Sequence, residues 1–505
     1  MILRFLLALA SGVLFALSFP NVALGWLMFV ALLPLFIALA GAEGPWESFF
    51  LAWSSHMVAW LLMVPWVIRV MSHYGGLPLP VGIAIFVAMA IYLGLYGGIF
   101  GFLFWRLNPG ILFRRWLLVA VAWVAVEFFR SFALMGGFPW NLIATALIDY
   151  TPLVQFDRVA GPYALGVLLL LPSITVAWLI VARPRGIERI IVSALVVIVV
   201  VVWWATGLVA AKLVMRPNGM PMAHAALLQP NISQEMRWDQ SNLGVLFQKM
   251  MLMTDAAASR GAEVVIWPES TVPLSYAKTD FFKDAIESLS RTRGVDIILG
   301  SIAQDGQSPR KLWNAAFLVS GGKTIGHYDK IRLVPFGEYV PFRKMLFFAG
   351  KLVHDVGDFQ FGTNDSPLAG RFVYGPAICY EVVFPEIPRT QVVHGANVLV
   401  TITNDAWYDG TSAPRQHLNM ARMRAVETDR YLLRAGTTGI SALVDPTGRI
   451  LKKLPMGAEG TIDAPFQTRT TRTPYVRYGD WFGWLAMGGV VVAALRRRRP
   501  AQNAA

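Results

Sequence analysis

The chain has 505 residues, of which 55% are hydrophobic and only 15% are charged, and its mean hydropathy is +0.52. This composition excludes an ordinary soluble protein of this length. The net charge of +13 would suit a nucleic-acid-binding protein, so the position of the charges along the chain matters. The single cysteine, Cys379, excludes an intramolecular disulfide and a cysteine-based zinc site. Its thiol is therefore either a packed small side chain or a reactive group.

Eight apolar segments are candidates for membrane-spanning helices, each of which needs about 20 mostly apolar residues. They lie near 3–19, 23–41, 48–68, 79–105, 116–134, 160–182, 189–210 and 481–495. The last is short, but Trp481 and Trp484 are typical of a membrane interface. We therefore expect seven transmembrane helices within residues 1–210, and an eighth with a basic tail within residues 481–505.

The arginines of the short loops predict the orientation of these helices, because cations concentrate on the cytoplasmic side. One set of loops and ends carries Arg4, Arg106, Arg114, Arg115, Arg183, Arg185, Arg189 and Arg496 to Arg499. The opposite set holds only Arg69, Arg130 and Arg158. Both termini are therefore predicted to be cytoplasmic. The arginine tail is predicted to anchor the last helix in this orientation, and we expect no nucleic-acid partner. Residues 1–20 also resemble a signal peptide, but cleavage there would leave seven helices and place some arginines on the wrong side.

The region 211–480 lies between the seventh and eighth predicted helices, so it faces away from the cytoplasm, into the periplasm of a bacterium with two membranes. Short apolar runs that end at turn residues predict strands at 223–230, 262–269, 295–303, 313–320, 371–381, 396–405, 432–446 and 448–454. Apolar spacing of three and four predicts helices at 242–259, 280–293 and 415–431. This alternation predicts a layered α/β domain.

Three segments of this region carry a reactive group, two of them at a strand end and the third, with Lys330, on an irregular stretch. Glu269 lies in "WPES", Lys330 in "YDKIRLVPFGEY", and Cys379 in "GPAICYE". Taken alone, each suits a turn, a solvated side chain or core packing. A strand-to-helix turn at Cys379 would expose its sulfur and aim backbone N–H groups at the space beside it.

Together, "WPES", "DKIRLVPFGEY" and "CYE" resemble the motifs of the nitrilase superfamily, whose members use a glutamate, a lysine and a cysteine. With eight predicted spans around it, the whole chain resembles the bacterial apolipoprotein N-acyltransferase family. Those enzymes move a fatty acyl chain from a phospholipid to the amino terminus of a lipoprotein's lipid-modified cysteine. The resemblance implies an α–β–β–α sandwich over residues 223–465, a phospholipid donor and a diacylglyceryl-modified apolipoprotein acceptor. It implies a membrane-embedded enzyme with no cofactor. We separately expect a monomer and no metal site.

The resemblance also assigns roles to individual residues. Cys379 would carry the acyl group as a thioester, Glu269 would act as general base and acid, and Lys330 would stabilise the oxyanion. The supporting and substrate-binding positions are Glu338, Tyr380 and Glu381, then Trp238, Asn404 and Trp407. The segment "GGFPWN" (136–141), with Trp140, is expected to form an interfacial loop that helps to admit lipid.

Other functions fit the sequence less well. A Cys–His protease pair needs a placed histidine, and a metal site needs ligand spacing. The histidines of the insert show neither: His224, His327, His354, His394 and His417. The main rival is a nitrilase-type amidohydrolase, although hydrolysis of a soluble amide needs no membrane platform. A transporter is disfavoured because the apolar segments contain few ionisable residues, with Glu127 the main exception.

Overall fold

The structure is a computed structural model that describes residues 1–20, 22–217, 219–271, 275–305, 311–339 and 359–496. The described chain divides into two compact units. The first contains Met1–Ser72, Pro78–Ala210 and the described residues from Asp480 onward, and the second contains His73–Leu77 and Ala211–Gly479.

The first unit is built from α-helices. They are α1 (Ile2–Leu17), α2 (Met28–Ala31), α3 (Leu33–Ala40), α4 (Pro45–Met63), α5 (Trp66–Arg69), α6 (Leu79–Leu107), α7 (Phe113–Arg130), α8 (Thr151–Val154), α9 (Asp157–Ala182), α10 (Glu188–Val214) and, after the second unit, α17 (Trp481–Arg496). A π-helical turn, Val70–Tyr74, follows α5.

Three of these helices, α6, α9 and α10, are long and apolar enough to cross a membrane. A fourth candidate is the pair Pro45–Met63 and Trp66–Tyr74, which is bent by 55°. Helices α1 and α17 and the segment Gly25–Ala40 are apolar but shorter. Helix α7 differs from the predicted span 116–134, because it begins at Phe113 and carries two arginines in its first turn as well as Glu127 and Arg130. The described residues thus give a helical region with three or four candidate spans, and Arg497 to Arg499 of the basic tail lie outside them.

The second unit contains two six-stranded sheets. Its strands are β1 (Met222–Gln229), β2 (Val264–Ile266), β3 (Asp296–Gln304), β4 (Leu312–Ser320), β5 (Lys323–Asp329), β6 (Leu368–Ala369), β7 (Val373–Ile378), β8 (Val398–Thr403), β9 (Leu432–Gly436), β10 (Ala442–Val444), β11 (Ile450–Lys453) and β12 (Gly460–Gln467). The strand order is β12-β1-β2-β3-β4-β5 in the first sheet and β11-β10-β9-β8-β7-β6 in the second. Strands β1 to β3 are parallel, as are β7 to β9, and the other pairs are antiparallel.

The helices of the second unit are α11 (Gln234–Trp238), α12 (Leu243–Ser259), α13 (Asp280–Arg293), α14 (Glu386–Val393), α15 (Ala413–Thr428) and α16 (Pro474–Tyr478). Side chains alternate along each strand. In β1, Ala225 and Leu227 join a core shared by both sheets, whereas Ala226 and Leu228 join a core that includes Phe247 of α12. Helices α12 and α13 cover the first sheet, and α14 and α15 contact the second. The layers therefore follow the predicted α–β–β–α order.

Candidate active site

The reactive residues follow the ends of strands, as the sequence predicted. Glu269 lies shortly after β2, Lys330 follows β5, Cys379 follows β7, and Asn404 follows β8. Strands β7 and β8 are parallel, and Ile378 pairs with Ile402. Cys379 therefore leaves the second sheet beside Thr403, the last residue of β8.

Lys330 is the centre of a buried ionic cluster, with a side chain that is only 1% exposed. Its Nζ lies 2.9 Å from Oε1 of Glu338 and 3.4 Å from Oε1 of Glu269. Burial by itself would lower the pKa of Lys330, but the carboxylates of Glu269 and Glu338 raise that pKa well above its ordinary value. The lysine is therefore a fixed positive charge.

Glu269 is buried and fully hydrogen-bonded. Its Oε1 accepts a hydrogen bond of 2.7 Å from Nδ2 of Asn314, and its Oε2 accepts one of 2.9 Å from the backbone N–H of Asn404. Burial would raise the pKa of Glu269, but Lys330 and these two donors outweigh it and hold the pKa below its ordinary value. An ionised carboxylate in this position can accept a proton.

Asn314 is a member of the site that the sequence analysis missed. It also donates from Nδ2 to Oε1 of Glu338, at 2.8 Å, so one amide joins the two carboxylates. Oε2 of Glu338 accepts the N–H of Val334, at 2.8 Å. The signal available in the sequence was one asparagine within the apolar run of β4. A polar side chain that such a strand buries needs hydrogen-bond partners.

Cys379 begins a short 3-10 turn, Cys379–Val383, directly after β7. Its φ of 50° lies in the left-handed region, which costs a non-glycine residue free energy. The side chain is 7% exposed. Burial raises the pKa of the Cys379 thiol, as does the charge of Glu269, while Lys330 opposes the rise. The resting pair is therefore a neutral thiol and an ionised glutamate, close enough for the charge of Glu269 to affect the pKa of the thiol.

Glu381 connects two parts of the site. Its Oε1 accepts hydrogen bonds from the N–H groups of Ile331 and Arg332, at 2.6 and 3.1 Å, and from the Tyr328 hydroxyl, at 2.9 Å. Its Oε2 accepts the N–H of Ile378, at 2.7 Å. Burial raises the pKa of Glu381 to about 7 although these donors and Lys330 lower it. Glu381 therefore ties the segment after Lys330 to the strand that ends at the cysteine.

The side chains of the remaining predicted positions contact residues outside the ionic cluster. The ring of Tyr380 packs edge-on against Phe384, with centroids 5.0 Å apart. The side chain of Asn404 donates to Oε1 of Gln234, at 3.0 Å. The ring of Trp407 packs edge-on against that of Tyr74, at 5.2 Å.

Trp238 is the last residue of α11, and its side chain lies outside the described part of the chain. Trp140 is buried within the helical unit, where its ring lies 5.2 Å from that of Trp66 and its carbonyl accepts a hydrogen bond from Arg130.

His417 lies near the cysteine, but at its backbone. Its Nε2 is 2.9 Å from the carbonyl oxygen of Cys379. This contact gives no support to a protease-like Cys–His pair, in which the imidazole would accept the thiol proton. His354 lies outside the described residues. Within the described ranges, no group of three or more His, Cys, Asp or Glu side chains could hold a metal ion.

Comparison with known proteins identifies the family. Residues 224–475 match the family Carbon-nitrogen hydrolase, and residues 11–175 match Apolipoprotein N-acyltransferase N-terminal domain. The apolipoprotein N-acyltransferase of Geobacter metallireducens is 35% identical, over 98% of this chain and 95% of that protein. The chain belongs to the apolipoprotein N-acyltransferase family. The family member from Azotobacter vinelandii is 31% identical, again over 98% of this chain and 95% of that protein.

Among solved structures, an amidase of the nitrilase superfamily from Nesterenkonia AN1 is 21% identical, with a TM-score of 0.39, covering 52% of this chain and 95% of that one. The predictions of an apolipoprotein N-acyltransferase family member, and of an acyltransferase as the enzyme class, are confirmed by the relatives and the two matched domains.

Proposed function

We propose that this enzyme transfers a fatty acyl chain from a membrane phospholipid to the α-amino group of the N-terminal diacylglyceryl-cysteine of apolipoproteins, through a thioester on Cys379. The observation that carries the proposal is the buried Lys330 between Glu269 and Glu338, beside a neutral thiol on a left-handed turn. This arrangement holds a nucleophile, a proton acceptor and a fixed positive charge together.

In the first half-reaction, the sulfur of Cys379 attacks the ester carbonyl carbon of the phospholipid. Because the thiol starts neutral and Glu269 starts ionised, the proton passes to Glu269 as the sulfur–carbon bond forms. The oxyanion is stabilised by the ammonium of Lys330 and the N–H of Tyr380, and loss of one such donor typically costs about 3–4 kcal/mol. The carbon–oxygen bond then breaks, and Glu269 returns its proton to the leaving lysophospholipid.

In the second half-reaction, the amine of the apolipoprotein attacks the thioester carbonyl. Glu269 accepts a proton from the attacking nitrogen, and an amide bond forms as the carbon–sulfur bond breaks. Glu269 returns that proton to the departing sulfur, which restores both the neutral thiol and the ionised carboxylate. Two substrates that use one site in turn predict ping-pong kinetics.

The supporting residues act through the proposed catalytic triad of Glu269, Lys330 and Cys379. Glu338 shares Lys330 and Asn314 with Glu269, so it holds the ammonium in place. Glu381 fixes the distance between the lysine segment and the nucleophile turn. We assign Trp238, Asn404 and Trp407 to substrate binding, with Asn404 also holding Glu269 through its N–H.

The proposal includes the predicted topology: eight transmembrane helices, cytoplasmic termini, a periplasmic catalytic domain at 211–480, and a monomer. It is supported by the distribution of loop arginines and by the apolar helices of the first unit. A membrane-impermeant thiol reagent should reach Cys379 from the periplasmic side. Labelling from the cytoplasmic side alone would reverse the orientation.

The experiment that tests the function supplies purified enzyme with phospholipid and a lipopeptide that carries a free α-amine. We expect amide formation with release of lysophospholipid. Release of free fatty acid without amide would indicate a hydrolase instead, the alternative suggested by the carbon-nitrogen hydrolase family match. A matched lipopeptide with an acetylated amine is the control, and it should leave the acyl group on the enzyme.

A further inference from the structure

A row of three buried polar side chains lies behind the nucleophile. Asp405 begins the 3-10 turn Asp405–Tyr408, His417 lies on α15, and Arg434 lies on β9. Each is at most 4% exposed. Nη2 of Arg434 donates to Oδ2 of Asp405, at 2.7 Å, and contacts Nδ1 of His417, at 3.1 Å. Nε2 of His417 lies 2.9 Å from the carbonyl oxygen of Cys379.

These contacts determine which nitrogen of His417 carries the proton. A carbonyl oxygen only accepts hydrogen bonds, so Nε2 must be protonated to donate to Cys379. Arg434 only donates, so Nδ1 must be bare to accept from it. Nδ1 also lies 3.4 Å from Oδ1 of Asp405, and that carboxylate raises the pKa of His417. Burial and the charge of Arg434 outweigh it and lower the pKa, in agreement with a neutral ring. The paired charge of Asp405 keeps Arg434 in place.

The contact at the carbonyl of Cys379 also affects the orientation of the N–H of Tyr380. The C=O of Cys379 and the N–H of Tyr380 belong to one planar peptide group, in which they point in opposite directions. A side chain that fixes the carbonyl therefore also fixes the direction of the N–H. It also restrains a residue whose φ of 50° is otherwise unfavourable.

We infer that His417 is a positioning residue that aims the backbone N–H of Tyr380 at the oxyanion formed on the acyl group. Asp405 and Arg434 hold His417 in the tautomer that this task requires. The inference rests on the proposed function, because the Tyr380 N–H stabilises an oxyanion only if Cys379 attacks a carbonyl. None of the three residues is expected to contact the substrate.

Two substitutions of His417 separate this role from a merely structural one. In His417→Gln, the amide nitrogen extends to the position of Nε2 and donates to the same carbonyl, while Arg434 keeps its hydrogen bond to Oδ2 of Asp405. His417→Asn keeps a polar partner for Arg434 but is one methylene shorter, so it does not reach the carbonyl. Both variants keep the buried Arg434 paired and are expected to fold.

Two rates should be measured on the purified full-length protein. The first is the rate at which Cys379 acquires an acyl group from phospholipid, followed by intact mass. The second is the rate at which iodoacetamide alkylates Cys379, a displacement at a saturated carbon that forms no oxyanion. We expect His417→Asn to slow acylation about 100-fold, as loss of an oxyanion donor does, with little change in alkylation. His417→Gln should stay close to the unaltered enzyme in both rates.

Unchanged acylation in His417→Asn would overturn the inference, as would a parallel loss of both rates in that variant. Failure of His417→Gln to acylate faster than His417→Asn would also overturn it. An unaltered enzyme that is alkylated but never acylated would instead overturn the proposed function. The two failures are therefore distinguishable.

Discussion

Replacement of Asn314 by alanine tests the electrostatics of the site. The amide donates to Oε1 of Glu269 and to Oε1 of Glu338, at 2.7 and 2.8 Å, and both acceptors are buried. A hydrogen bond to a charged group contributes about 1.5–3 kcal/mol. Since one pKa unit corresponds to about 1.4 kcal/mol, loss of the bond to Glu269 should raise the pKa of its carboxyl by about 1–2 units. Acylation needs the ionised carboxylate, so the enzyme should lose activity at a higher pH than the unaltered protein does.

The assay is the initial rate of Cys379 acylation by phospholipid, measured by intact mass from pH 4 to pH 8. We expect the acidic limb of the Asn314→Ala profile to move upward by about 1–2 pH units, with a smaller loss of rate at pH 8. Thr254→Val is the control. Thr254 is also buried and accepts a hydrogen bond of 2.9 Å from Trp267, but Trp267 belongs to the core between the first sheet and α12. An acidic limb that stays in place in Asn314→Ala would refute the reasoning.

Three further predictions concern single residues of the second unit. Gly300→Ala should lower the free energy of unfolding by about 1–3 kcal/mol and slow acylation, since the added Cβ would lie 2.7 Å from Cα of Glu269. Denaturant unfolding and the acylation rate check this, and a variant unaffected in both would contradict it. Glu269→Gln should abolish acylation while the protein stays folded, measured by intact mass and circular dichroism, and normal turnover would refute its role as the base. The raised pKa of Glu381 means that its contribution to stability is fully present below pH 4.5 and is lost as the pH rises through about 7. Glu381→Gln should therefore weaken the fall in Tm between pH 4.5 and pH 8, and an unchanged slope would show that the carboxyl does not titrate in this range.

The proposed triad of Glu269, Lys330 and Cys379 could be selected from the sequence because each member lies in a short continuous motif. Cys379 and Glu381 are two residues apart, and Lys330 and Glu338 are eight apart, so local sequence was enough to select them. The order of layers was also predictable, because apolar alternation in strands such as β1 assigns one face to each core.

The contacts of Asn314 and Arg434 were not predictable from local sequence. Each lies within a mostly apolar strand, and its partners come from distant segments that are brought together by the pairing of strands. The partners of Glu381 were also not predictable. Its spacing from the cysteine indicated a supporting role, but not that it accepts hydrogen bonds from the N–H groups of Ile331 and Arg332. Among the apolar segments, helix α7 shows that charged residues change whether a helix qualifies as a span.

The central claim is that the sulfur of Cys379 carries the acyl chain. The most direct test incubates the purified full-length protein with a phospholipid of defined chain length, and then determines the intact mass and the modified peptide. The account predicts one added acyl group, on Cys379, which is removed by a lipopeptide amine and is absent from Cys379→Ala. An acyl group that forms equally on Cys379→Ala, or transfer to the lipopeptide by that variant, would contradict it.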